Sequence, residues 1–178
     1  MSWFNKNGSV YTWIPESYQN NLVGIKNVIC FDLDWTLVKP EFSKFPSNSK
    51  DNNFMDHRTK TLLKYIKLGY HIVVFSNQKL TPKEPLKFKL DRMNDIISKF
   101  KSFNIDMILL MAVQDDINRK PNIGMWLQLK DGIVDIKAAF YCGDAAGRPG
   151  DFSDSDLIFA KNIGVPFYTP EQIFISDQ

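Results

Sequence analysis

The chain has 178 residues, of which 44% are apolar and 24% are charged, and its formal net charge at pH 7 is +2. This composition predicts a folded protein rather than a disordered one, with enough chain to bury its own core. Two cysteines, Cys30 and Cys142, exclude a disulfide-dense scaffold and a multi-thiolate metal site. The small net charge gives no general case for nucleic-acid binding, so any basic footprint is local.

The sequence carries no pattern of secretion or membrane insertion. Its first residues lack the apolar region of a signal peptide, and no apolar run reaches the roughly 18–20 residues of a membrane span. We therefore expect a soluble, monomeric protein that stays inside the cell, with nucleus and cytoplasm both open.

Four short apolar runs predict buried strands, at residues 28–31, 72–75, 107–113 and 138–142. Each run is apolar on both faces, as in a parallel strand covered by helices on both sides. Helical patterns lie between and after the strands, at residues 56–68, 86–103, 121–129 and 155–162. The alternation predicts an α/β fold with a doubly wound, Rossmann-like parallel sheet.

Two stretches depart from this alternation. Residues 1–26 are rich in aromatic side chains and contain Asn7-Gly8, which predicts a β-ribbon packed on the main sheet. Residues 39–55 are rich in Ser, Asn, Lys and Pro and predict a loop. Neither stretch indicates a separate domain, so we expect one domain over residues 1–178. The chain between the predicted elements is also too short for a large cap domain, and an open site favours a polymer end or a protein as substrate.

The residues that follow the first strand are the first candidates for chemistry, because ligands bind beyond the carboxyl ends of parallel strands. They read Asp32-Leu33-Asp34-Trp35-Thr36. Asp32 can attack phosphorus to form an aspartyl-phosphate, and Asp34 can act as general acid and then as general base. Both carboxylates also attract a hard cation such as Mg²⁺. The alternative is a solvated acidic turn.

The other strands end in complementary groups. The Ser76 hydroxyl can hold a phosphoryl oxygen, and Lys120 can balance charge in the transition state. Asp144 would complete a Mg²⁺ site with Asp32 and the backbone carbonyl of Asp34. Taken singly, each fits an ordinary turn or a surface lysine. Together they favour phosphoryl transfer.

These segments resemble the haloacid dehalogenase superfamily of phosphotransferases, and more closely the 3′-phosphatase family of polynucleotide kinase/phosphatases. The resemblance covers nearly the whole chain. The matching segments include Phe31-Asp-Leu-Asp-x-Thr-Leu37, Gly69-Tyr-x-x-Val-Val-Phe-Ser-Asn-Gln78, Arg119-Lys-Pro-x-x-Gly-Met-Trp126, Tyr141-x-Gly-Asp-Ala-Ala-Gly-Arg-Pro149 and Asp151-Phe-Ser.

The resemblance implies Mg²⁺-dependent removal of 3′-phosphate from DNA ends in strand-break repair, through a phosphoaspartate. It implies a nucleophile at Asp32, an acid/base at Asp34, a metal ligand at Asp144 and phosphoryl contacts from Ser76 and Lys120. The expected substrate contacts are Trp35, Thr36, Asn77, Arg119 and Arg148. Three later acids, Asp151, Asp154 and Asp156, receive no role.

Some features leave alternatives open. Trp35 stands where the family usually has glycine, and its ring either packs or stacks on a terminal base. Residues 79–101 carry a net charge of +4, which suits either a DNA backbone or the solvated face of a helix. No Gly-x-x-x-x-Gly-Lys-Ser/Thr motif occurs, so we expect no kinase activity. The rival functions are a phosphatase of a phosphoprotein or of a small ester such as a sugar or histidinol phosphate, and an inactive module that binds DNA ends.

Overall fold

The computed structural model describes residues 3–5, 8–19, 24–133 and 135–175. Its strands are β1 (Trp3–Asn5), β2 (Val10–Trp13), β3 (Asn27–Phe31), β4 (Val38–Lys39), β5 (Asn53–Phe54), β6 (His71–Asn77), β7 (Met107–Ala112), β8 (Lys137–Cys142) and β9 (Phe167–Tyr168). Its helices are α1 (Glu16–Gln19), α2 (Arg58–Lys67), α3 (Leu86–Ser102), α4 (Gly124–Gly132), α5 (Ser155–Ile163) and α6 (Pro170–Ile173).

The main sheet has seven strands in the order β1-β2-β7-β6-β3-β8-β9. The strands from β7 to β9 run parallel, whereas β1 and β2 form an antiparallel ribbon at one edge. The centre of the parallel part is β3, which pairs with β6 on one side and with β8 on the other. The residue that follows β3 therefore lies between the ends of two neighbouring strands.

Helices cover both faces of the sheet, because alternate residues of each strand point to opposite sides. On one face Ile29 and Phe31 of β3 pack with buried residues of α2 and α3. On the other face Val28 and Cys30 pack with buried residues of α4 and α5. The four predicted strands and the doubly wound α/β sheet are thus confirmed.

Three local features differ from the expectations. The ribbon pairs edge to edge with β7, with Val10 opposite Ala112, rather than packing on a face; Asn7 of the predicted turn lies outside the described residues. Helix α4 begins at Gly124 rather than near Pro121, and the Gly124 amide donates to the Ile117 carbonyl at 3.2 Å. The predicted loop at residues 39–55 is bounded by the small antiparallel pair β4–β5.

No large cap domain stands over the carboxyl edge of the sheet among the residues that the structure describes. The elements nearest that edge are the segment between β4 and β5, residues 40–52, and the loop between β8 and α5. Within the described ranges, none of the helices has both the length and the apolar character that crossing a membrane requires.

Candidate active site

The carboxyl ends of β3, β6 and β8 form the floor of a cleft of about 450 Å³. The cleft collects most of the predicted site residues on its lining: Asp32, Asp34, Trp35, Ser76, Asn77, Arg119, Lys120 and Asp144. Thr36 and Arg148 are the two predicted site residues outside this lining.

Lys120 is the central cation of the floor and is buried. Its Nζ donates three hydrogen bonds: to Asp32 Oδ1 at 2.6 Å, to Asp156 Oδ1 at 2.8 Å and to the Tyr141 hydroxyl at 2.8 Å. These bonds use all three protons of the ammonium group. Burial acts to lower the pKa of Lys120, but the negative charges of Asp156 and Asp32 outweigh it and raise the pKa. Lys120 therefore stays charged beside Asp32.

Asp156 lies in the first turn of α5 and is buried. Its Oδ2 accepts from the Ala145 amide at 3.1 Å, and its Oδ1 accepts from Tyr141 as well as from Lys120. A Cβ atom at Gly143 would lie 2.4 Å from Asp156 Oδ2, so the carboxylate needs glycine at that position. Asp156 thus fixes the position of the Lys120 ammonium.

Asp32, Asp144 and Asp156 offer carboxylate oxygens that all lie within 4.8 Å of one another. Burial raises the pKa of Asp32 well above its ordinary value, opposed by Lys120 and reinforced by the other two acids. Burial and the charge of Asp156 raise the pKa of Asp144 to about 6. An all-oxygen, strongly anionic donor set of this kind suits a hard divalent cation such as Mg²⁺. The carboxylate of Asp34 is not part of this cluster.

Thr36 positions Asp144 instead of lining the cleft. The Asp144 amide donates to Thr36 Oγ1 at 3.1 Å, and Thr36 Oγ1 donates to Asp144 Oδ1 at 3.4 Å. The Thr36 carbonyl accepts from Arg58 Nε at 2.9 Å. A buried chain of hydrogen bonds therefore joins the turn after β3 to the turn after β8.

The Asp34 carboxylate is held by two side chains that also line the cleft. Arg92 of α3 donates to both of its oxygens, and Gln78 Nε2 donates to Asp34 Oδ2 at 2.7 Å. Burial acts to raise the pKa of Asp34, but the charge and hydrogen bonds of Arg92 and the bond from Gln78 lower it overall. Asp34 is thus an ionised, oriented carboxylate whose side chain remains one-third exposed to the cleft.

Asn77 joins the end of β6 to the segment before α4. Its Oδ1 accepts from the Lys120 amide at 2.9 Å and its Nδ2 donates to the Lys120 carbonyl at 3.0 Å. The neighbouring Ser76 hydroxyl accepts from Gln78 Nε2 at 2.8 Å. The two Asn77 bonds hold the backbone of Lys120 next to the end of β6.

The two predicted arginine contacts differ in their surroundings. Arg119 lines the cleft, and its Nη1 is buried without a hydrogen-bond partner among the described residues. Arg148 binds Asp151 through two nitrogens, at 2.9 and 3.1 Å, and Glu171 at 3.1 Å. Arg148 therefore stabilises the loop after β8, and its contact with substrate stays a prediction.

Two site residues were not assigned from the sequence: Asp156 was named there without a role, and Arg92 was not considered for the site. A signal for Asp156 does exist: Phe159 and Ala160 follow it by three and four positions, so all three share the buried face of a helix. Arg92 precedes the buried Ile96 by four positions, and the two share a face of α3 for the same reason. The Arg92 partner, Asp34, lies 58 residues away in sequence, and no local pattern announces that pairing.

Known proteins are similar to this chain over most of its length. The family model for the polynucleotide kinase 3 phosphatase matches residues 27–174. The bifunctional polynucleotide phosphatase/kinase of Schizosaccharomyces pombe is 39% identical over 155 residues, which cover 84% of this chain and 38% of the yeast protein. The polynucleotide 3′-phosphatase of Saccharomyces cerevisiae is 30% identical, over 90% of this chain and 92% of that protein.

Among solved structures, the D,D-heptose 1.7-bisphosphate phosphatase of B. bronchiseptica, complexed with magnesium and phosphate, matches with a TM-score of 0.63. The match covers 81% of this chain and 79% of that one, at 16% identity, and so it bears on the fold alone. The chain therefore belongs to the polynucleotide kinase 3 phosphatase family, a family of phosphoric monoester hydrolases with the haloacid dehalogenase fold.

Proposed function

We propose that this protein is a Mg²⁺-dependent polynucleotide 3′-phosphatase, without kinase activity, that converts 3′-phosphate DNA ends to 3′-hydroxyl ends in strand-break repair. The observation that carries the proposal is the arrangement of the cleft floor. The candidate nucleophile, Asp32, lies beside the charged Lys120, and an oriented acid/base group, Asp34, lines the same cleft.

Asp32 is the nucleophile in this mechanism. Its Oδ1 accepts from Lys120, which leaves the other carboxylate oxygen to attack phosphorus in line and form the aspartyl-phosphate. The Ser76 hydroxyl holds an oxygen of the transferring phosphoryl group, and the positive charge of Lys120 balances the negative charge that develops on that group. The Asp156 carboxylate keeps Lys120 in place throughout.

Asp34 carries the protons. It protonates the leaving 3′-oxygen and then deprotonates the water that hydrolyses the phosphoaspartate. Arg92 and Gln78 orient the carboxylate for both steps, and its low pKa supplies the ionised form that the second step needs. The negative charge of the arriving phosphate acts in the opposite direction and favours proton uptake before the first step.

Asp32, Asp144 and the backbone carbonyl of Asp34 would hold Mg²⁺, with Asp156 close by. The close approach of three carboxylate oxygens supports this assignment. When bound, Mg²⁺ supplies the positive charge that offsets the cluster and the phosphate. Thr36 orients Asp144 toward this position through its two hydrogen bonds.

A polynucleotide end fits the cleft for two reasons. The cleft has no large cap over it within the described residues, so a long substrate can enter. The unpartnered Nη1 of Arg119 offers a donor for an anionic oxygen, and a buried donor without a partner is a place where a ligand is expected. We assign Arg119 to the phosphate of the substrate.

The test is phosphate release from a DNA oligonucleotide with a 3′-phosphate, compared with the same oligonucleotide bearing a 5′-phosphate. We expect release from the 3′-substrate alone, loss of release with EDTA, and a fall of at least about a thousandfold in the Asp32→Asn variant. Release of phosphate from a phosphoprotein or a sugar phosphate at a comparable rate would contradict the proposal that a polynucleotide end is the substrate. Activity of the variant above about one per cent of wild type would overturn the nucleophile.

A further inference from the structure

Trp35 has an unusual backbone for a large side chain. Its φ is 62°, in the left-handed region that L-residues with bulky side chains rarely adopt. The Trp35 amide closes a tight turn by donating to the Val38 carbonyl at 2.8 Å. Glycine would adopt this turn without strain. Strained backbone of this kind concentrates at functional sites, so the presence of an indole here calls for a functional reason.

Packing of the ring in the protein core does not explain why a tryptophan occupies this position. The Trp35 side chain is 37% exposed, and it lines the cleft beside Asp34. Its Nε1 donates to the Lys44 carbonyl at 3.3 Å, which fixes the plane of the ring against residues 40–52. That segment is itself ordered, because the Asp51 carboxylate accepts from the amides of Glu41 and Ser47, both at 2.8 Å. The indole is therefore a fixed, water-exposed wall of the cleft.

Trp35 follows directly the residue that the proposed mechanism assigns to the leaving oxygen. Phosphorus is bound at Asp32 and the leaving oxygen is protonated by Asp34, so the nucleoside attached to that oxygen extends beyond Asp34. Trp35 is the next residue in the chain and lines the same cleft. Two other exposed rings line the same cleft, Phe45 at 64% and Phe152 at 75% exposure. Exposed aromatic rings at one opening are a typical surface for stacking a nucleobase.

We propose that the Trp35 indole is a specificity-determining surface that stacks on the terminal nucleobase of a 3′-phosphorylated polynucleotide. This inference rests on the proposed function. Stacking adds binding energy only when the base is present, so Trp35 favours a base-bearing end over an end that lacks the base. The preference expected from one stacking contact is about tenfold.

The experiment compares two oligonucleotides that differ only at the 3′-terminal residue. One ends in an ordinary nucleoside 3′-phosphate and the other in a tetrahydrofuran 3′-phosphate, which keeps the phosphate and loses the base. We expect wild-type kcat/KM to favour the base-bearing substrate by about tenfold. In Trp35→Gly, which the backbone accommodates, this ratio falls to about one, because the stacking surface is absent for both substrates.

A second variant separates stacking from anchoring. Trp35→Phe keeps an aromatic face and loses the donor to Lys44, so it retains most of the preference for the base-bearing end. Phe42→Ala is the matched control, because Phe42 belongs to the same segment and is 91% exposed but does not line the cleft. Its ratio matches that of the wild type.

Three outcomes overturn the inference while the proposed function stands. In the first, the wild type hydrolyses both substrates equally well. In the second, Trp35→Gly keeps the wild-type ratio. In the third, Trp35→Phe loses the ratio as fully as Trp35→Gly, which assigns the effect to the Lys44 bond. Failure of the wild type on both substrates would overturn the proposed function and the inference with it.

Discussion

The floor of the cleft and its rim are built from opposite kinds of side chain. The floor consists of Asp32, Lys120, Tyr141 and Asp156, which are buried and joined by hydrogen bonds of 2.6–3.0 Å. The rim consists of Trp35, Phe45 and Phe152, whose rings are exposed to water. These hydrogen bonds hold the side chains of the floor in one arrangement before the substrate binds. The rim exposes apolar surface to water, so the choice of substrate depends on which group of the substrate covers these rings.

The largest expected effect comes from removing the cation of the floor. Lys120→Met leaves Asp32 facing Asp156 without a counter-charge, which lowers the free energy of unfolding by about 3–5 kcal/mol without metal. It also lowers kcat by at least about a hundredfold, because the positive charge beside the phosphoryl group is lost. Chemical denaturation in EDTA and phosphate release measure the two losses. Lys101→Met, at an exposed position of α3, leaves both unchanged.

The same variant has a defined pH dependence. Without Lys120, the pKa of Asp32 in the folded state rises further above its value in the unfolded chain. A carboxyl group whose pKa is raised by folding loses stability as the pH rises above the unfolded value. The stability difference between variant and wild type therefore widens as the pH rises above the pKa of Asp32 in the folded wild type, which itself lies well above the ordinary value. A difference independent of pH would contradict the assignment of a buried ionic floor.

A smaller change to the floor is Gly143→Ala. The added Cβ would lie 2.4 Å from Asp156 Oδ2, so Asp156 must move and Lys120 moves with it. A displacement of about 1 Å at a catalytic group lowers kcat by about a hundredfold. Gly132→Ala, where the added atom meets open space, is the matched control and leaves kcat unchanged. Wild-type kcat in Gly143→Ala would show that Asp156 does not set the position of Lys120.

Metal binding tests the cluster of Asp32, Asp144 and Asp156. Mg²⁺ at about a hundred times its Kd stabilises a folded protein by about 2.7 kcal/mol, which raises Tm by about 5–10 °C in a chain of this size. Asp144→Asn loses most of this shift, because one of the three clustered carboxylates is neutralised. Thermal unfolding with and without Mg²⁺ measures it. An equal shift in the variant would place the metal elsewhere.

The smallest effect is expected at the rim. Asp51→Ala releases the amides of Glu41 and Ser47 and loosens the segment that carries Lys44 and Phe45. The segment must then be ordered on binding, at a cost of about 1 kcal/mol, or roughly fivefold in KM for an oligonucleotide. Activity on a small aryl phosphate stays unchanged. Asp91→Ala, which removes a surface ion pair to Lys87, gives wild-type KM for both substrates.

The polar groups at the strand ends were predictable from the sequence, whereas Tyr141 and Asp156 of the floor were given no role there. A buried strand followed by a polar residue predicts Asp32, Ser76 and Asp144 at one edge, since parallel strands end on the same side. The partners that orient these groups were harder to find. Arg92 reaches Asp34 from a helix 58 residues further along the chain, and only the packing of α3 against the sheet reveals it.

The structure shows which basic side chains of residues 79–101 form ion pairs. Lys89 pairs with Glu84 at 2.6 Å, Lys99 with Asp95 at 2.8 Å, and Arg92 with Asp34. The first two pairs lie within the segment and already enter its net charge of +4. Arg92 and Lys79 pair with acids outside the segment, Asp34 and Asp115, so half of the excess charge is met elsewhere in the folded chain. The rim was predicted only at Trp35, because exposed rings in loops leave no periodic pattern.

The ribbon of β1 and β2 has a practical consequence for handling the protein. Strand β7 is buried along its whole length, and β2 occupies the edge that β6 leaves open. A chain shortened to begin after Trp13 would present six unpaired, apolar residues of β7 as a template for strand addition by other molecules. Recombinant versions that lack this ribbon are therefore expected to accumulate as aggregates during expression, even though the cleft lies at other strands.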